Sequence, residues 1–91
     1  MNRARPPQVL GATSAGRSLL FDLEAGEGVP RHTHPGARVV LAVLSGEVRL
    51  TTDGGPHLLP AAEVLTHDGN APLALEATRP GTRVLVTLLG E

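Results

Sequence analysis

The sequence predicts an all-β fold, a double-sheet jelly roll closed into a barrel, and three observations carry that reading. Short apolar runs are punctuated at nearly regular intervals by Gly 11 and Pro 8 within 91 residues, a pattern of sandwiches and barrels. Several of these runs alternate apolar and polar side chains with the period of two that a half-buried strand requires. No stretch keeps a helical period beyond two turns. About eight short strands result, the number that a jelly roll needs.

Taken in order, residues 1–16 read as an N-terminal arm with a possible first strand, and residues 17–91 as one barrel domain; residues 1–7 look like a loose arm. Ser18–Glu24 alternates, with Leu19, Phe21 and Leu23 on one face. Gly26-Glu27-Gly28-Val29-Pro30 breaks that strand. Val39–Leu44 is apolar on both faces, which places it centrally in a sheet or at a subunit interface. Ser45-Gly46 turns into the alternating Glu47–Thr51, and Asp53-Gly54-Gly55 is a strong hairpin signal. Strands follow at 56–59, 63–67, 73–77 and 83–89.

Composition narrows the functions. Lys+Arg 8 against Asp+Glu 9 gives a formal charge of −1 with no basic run, so the concentrated positive surface that phosphate backbones call for is missing. Cysteine is absent, which excludes disulfides, thiolate catalysis and thiolate zinc sites. No apolar run approaches the ~20 residues of a membrane span, and a soluble cytoplasmic protein is the default expectation. The core must be built from Leu, Val and Ala, because Phe21 is the only aromatic. So small a core favours burial of further apolar surface by self-association, and a homodimer is expected.

The chemistry concentrates in His32-Thr33-His34. Two residues apart on an extended segment, the imidazoles point the same way and a divalent metal can bridge their neutral nitrogens. A hydrogen-bonded pair without metal fits the same spacing. Gly26 before the pair and Gly46 after it suit turns.

With those glycines, the chain resembles the cupin superfamily, as a small single-domain member with a degenerate second motif. The first cupin motif runs Gly, five residues, His-x-His, three or four residues, Glu, six residues, Gly. Gly26, His32, His34 and Gly46 match it at the four-residue spacing. The second, Gly, five, Pro, one, Gly, two, His, three, Asn, falls without gaps on Ala62, Asp68, Asn70, Leu73 and Ala77, all departures. Asn70 is a plausible stand-in for a turn glycine, since Asn tolerates positive φ. The resemblance covers about residues 17–89 and implies a double-stranded β-helix.

It also implies a metal held by both histidines, the glutamate and the second-motif histidine. Here His32 and His34 remain. The glutamate slot falls on Val39, or on Arg38 at the shorter spacing, and the last slot on Leu73. A two-histidine site would hold nickel, zinc, manganese or iron weakly, with water or a chelating small molecule completing the shell. His57 and His67 are the further histidines assigned to the pocket, and Leu73 and Phe21 would line it. Arg38 reads as a clamp for a ligand carboxylate or phosphate, or as a solvated ion pair. No nucleophile elbow or phosphate loop is present. Two functions compete: a partial divalent-metal cupin of undetermined function, and a metal-free barrel that binds or senses a small molecule without catalysis.

Overall fold

Leu19 and Leu23 turn inward into the core with Phe21 partly buried between them, as their alternation requires. The protein is described from a computed structural model covering residues 2–90. Among the described residues every regular element is a strand: β1 (Asn2–Arg3), β2 (Gln8–Thr13), β3 (Gly16–Leu23), β4 (Glu27–His32), β5 (Ala37–Ser45), β6 (Glu47–Thr52), β7 (Gly55–Pro60), β8 (Val64–Asp68), β9 (Leu73–Ala77) and β10 (Thr82–Gly90). No described helix is long and apolar enough to cross a membrane.

The strands form two five-stranded sheets, ordered β1-β4-β9-β6-β7 and β2-β3-β10-β5-β8. Their inner faces meet in one core, with Leu41, Val43 and Val84 from the second sheet against Val48, Leu50 and Leu75 from the first. Strand β5 lies between β10 and β8; Val39, Leu41 and Val43 face the core, while Val40 and Ala42 on its outer face stay half-buried. Leu44 nonetheless stays exposed near the strand's end.

Glycine fixes two corners. Gly46 adopts φ +73 between β5 and β6, and a Cβ there would strike Thr82. Thr82 is fully buried and its hydroxyl donates to the Arg79 carbonyl at 2.8 Å. In the β6–β7 hairpin, Thr52 pairs with Gly55, whose φ of +103 suits glycine.

Three expectations need correction. Residues 26–30 do not simply break a strand: Gly28 and Val29 lie within β4, paired with Glu76 and Leu75 of β9. Gly28 is required there because a Cβ would collide with the Leu75 carbonyl. Pro30 falls inside the irregular stretch between Val29 and His32, where no ladder N–H is needed. Residues 2–4 are not loose, since Asn2 and Ala4 donate backbone hydrogen bonds to Gly26 and Gly28 at 2.9 and 2.8 Å. Asn70 is not the residue with positive φ. Ala62, in the slot of the second motif's first glycine, carries φ 76 instead.

Candidate ligand and metal site

His32 closes β4 and His34 lies just beyond it. Backbone bonds hold this corner from the other sheet: the His34 amide donates to the Gly69 carbonyl at 2.7 Å, and the Gly69 amide to the Ala37 carbonyl at 2.9 Å. Gly69 is confined between the His34 and Ala37 carbonyls, where no Cβ fits. Asn70 contributes through its side chain, with Oδ1 accepting from the Gly36 amide at 3.1 Å. The turn that carries the degenerate second motif therefore still braces the histidines.

The two imidazoles meet edge to face, Nε2 to Nε2, at 2.8 Å. His32 Nδ1 lies 2.7 Å from the Pro30 carbonyl. A carbonyl only accepts, so Nδ1 carries the proton and His32 Nε2 presents a lone pair. His34 then donates its Nε2–H to that lone pair. Burial, followed by the neighbouring His32 and the Arg17 guanidinium, holds the His34 pKa below its ordinary 6.5. His34 is thereby held towards its neutral form, the form that ligates metals.

Both rings border a cavity of about 160 Å³, lined otherwise by apolar side chains that include Leu19, Phe21, Val29, Val39 and Leu73. Leu73 is the cross-strand partner of His32. Val39 and Leu73, each almost fully buried, thus stand at the cavity wall beside the histidines. The slots where the cupin motif carries its further ligands converge on this place, but in this chain they hold hydrocarbon. Among the described residues no group of three or more His, Cys, Asp or Glu is placed to hold a metal.

The remaining candidates lie elsewhere. Arg38 was read as a ligand clamp or as a solvated ion pair; Val39 faces inward, so the strand's alternation turns Arg38 outward, exposed and opposite Asp68 and Leu89. His67 sits on the inner row opposite Val39 and donates Nε2–H to the Ala71 carbonyl at 2.9 Å. His57 pairs with Leu50 yet is exposed, and it shares with His67 a separate cleft between β7 and β8. Glu76 faces away from the cavity, bridged to Arg49 at 3.2 Å.

Arg17 went unnoticed in the sequence. It pairs with Leu88 of β10, on the same inward row as Leu19, and lines an open cavity of about 520 Å³ at the barrel mouth with Thr33 and His34. Its parity with Leu19, Phe21 and Leu23 was the available signal.

The Cupin domain family profile matches residues 19–88, and the chain belongs to the cupin family. It is 37% identical over 67 residues to 2-aminoethanethiol dioxygenase of Mus musculus, a match that covers 68% of this chain but 26% of that protein. Among solved structures it is similar to an RmlC-like cupin protein of Desulfovibrio desulfuricans, with TM-score 0.81 and 25% identity over 91% of this chain and 79% of that one. KdgF of Halomonas sp. superposes with TM-score 0.84 at 13% identity, covering 93% of this chain and 79% of that one. The latter likeness is one of fold alone.

Proposed function

We propose that this cupin binds a small molecule in the cavity beside His32 and His34, and that the two imidazoles hold one divalent transition cation there. The observation that carries the reading is the oriented pair: His32 is fixed by Pro30 with its Nε2 lone pair free, 2.8 Å from His34 Nε2. The two nitrogens already lie side by side, so the pair would hold one divalent cation once His34 moves its proton from Nε2 to Nδ1 and the rings turn their lone pairs to a common point.

Bound there, a cation would polarise a coordinated ligand oxygen or activate a coordinated water. The chain's own residues bind and orient the ligand: Leu19, Phe21, Val29 and Leu73 exclude water from its apolar part. Among the described residues no carboxylate lines the cavity, so none of its side chains is assigned as a base. With two protein ligands the cation is weakly held, and the bound molecule supplies further donors. Nickel, zinc, manganese and iron all suit imidazole. The likeness to a 2-aminoethanethiol dioxygenase supports iron as the first metal to load and 2-aminoethanethiol as the first compound to test for oxygen uptake.

Protein purified without chelators is expected to carry a transition metal at up to about one per chain by elemental analysis. Adding nickel, zinc, manganese or iron should raise its melting temperature. Either His32→Ala or His34→Ala abolishes both effects, whereas His57→Ala leaves them intact. No metal and no shift would leave the competing reading, favoured by the hydrocarbon at Val39 and Leu73: a metal-free binding module.

A further inference from the structure

We propose that the ligand of this cavity is a small amphipathic anion, its apolar part seated beside the histidines and its negative group held by Arg17 at the barrel mouth. The proposal rests on the reading of the cavity as a binding site, but not on the presence of a cation. Arg17 is the single Arg, Lys, Asp or Glu on the inward row of β3, whose next members Leu19, Phe21 and Leu23 line the interior. It lines the open cavity at the barrel mouth together with His34.

Arg5, Arg31, Arg49, Arg79 and Arg83 bridge to carboxylates, whereas Arg17, like Arg3 and Arg38, makes no ion pair among the described residues, and of these three it is Arg17 that lines the mouth. An unpaired, planar, permanently charged fork beside a cleft is suited to a carboxylate or similar oxyanion. The hydroxyl-bearing residues Thr13, Ser14 and Thr33 line the same mouth.

The inner space sets the size of the other half. A cavity of about 160 Å³ compares with the ~150 Å³ engineered cavity that takes benzene. It accommodates a short branched chain or a single ring. Such a tail would cover the apolar wall while its head reached outward past His34 to Arg17. Among the described residues no carboxylate lines the cavity or its mouth, and Arg17 brings positive charge to it, so an anion is the complementary occupant.

The test compares 4-methylpentanoate with its uncharged isostere 4-methylpentanamide by NMR titration of the folded chain, once in chelator-treated protein and once with zinc added. The acid should bind at least tenfold tighter than the amide, with the amides of Leu19 and Phe21 shifting. In the chelator-treated protein Arg17→Gln should erase the preference while leaving amide binding unchanged, and Arg38→Gln should leave the preference intact; zinc uptake should be unchanged in both variants. Equal binding of acid and amide by the natural protein, no binding of either, or a preference that survives in chelator-treated Arg17→Gln would overturn the proposal. Zinc uptake, read separately by elemental analysis, reports on the metal reading alone.

Discussion

Ala62 carries a backbone strain that nothing in its side chain requires. An L-residue in the left-handed region costs ~1–2 kcal/mol, and Ala62 at φ 76 is the only non-glycine described there. Its amide donates to the Val43 carbonyl at 2.8 Å and the next carbonyl accepts from the Val43 amide at 3.0 Å, so the corner is held by pairing with β5. Ala62→Gly should relieve the strain at a smaller cost in unfolded-chain entropy, raising stability by ~0.5–1 kcal/mol in urea unfolding. His34 supplies a pH dependence. Its pKa in the folded protein lies below the ordinary 6.5, chiefly through burial and then through His32 and Arg17. As pH falls through 6.5 the unfolded chain takes up more protons at this position, so stability is full above that range and drops below it. In chelator-containing buffer the melting temperature should therefore decline between pH 7.5 and 5.5, and decline less in His34→Gln. The residues that carry the site were unevenly legible. His32 and His34 announce themselves by spacing, while Arg17 hides because its meaning depends on which face of β3 it shares with Leu19. Arg38 drew attention by standing next to the motif, and strand parity set it outside.

At the scale of elements, β4 is the instructive case. Gly28 and Pro30 read as breakers in sequence, and both are accommodations to a neighbour: one admits the Leu75 carbonyl, the other sits where the ladder with β9 is irregular. Neither reason is visible without the partner strand. The alternating runs of β3 and β6 and the Asp53-Gly54-Gly55 hairpin were legible because their signals are local. The same reasoning predicts that Gly28→Ala is costly, since the new methyl would meet backbone that cannot rotate away. A loss of ~1–3 kcal/mol is expected in denaturant unfolding, together with weaker metal uptake, because β4 delivers His32.

For the whole molecule, the outer face of the β2-β3-β10-β5-β8 sheet matters most. Leu85 is flanked by Leu20 on one side and Ala42 on the other, and Ala42 by Val64, an apolar row across four strands. Val64 and Leu44 are both exposed. We propose that a second copy covers this face. Light scattering of the purified chain should give twice 9.4 kDa, and Val64→Glu should return the monomer without unfolding it; a monomeric natural protein would refute the pairing.

The position of β10 has a consequence for biosynthesis. Residues 82–90 are hydrogen-bonded to β3 on one side and β5 on the other, so the strand that joins this sheet together is made after both of the strands it joins. Until it clears the ribosome, β2-β3 and β5-β8 have no common partner, and the walls of the histidine cavity on that side have nothing between them. The nascent chain must therefore hold Leu19, Val39 and Leu41 unburied until β10 has been made, a long-range pairing that folds slowly and exposes apolar edges. Ribosome-stalled chains ending before residue 82 should be protease-sensitive throughout, and chains with residue 90 outside the exit tunnel should be protected.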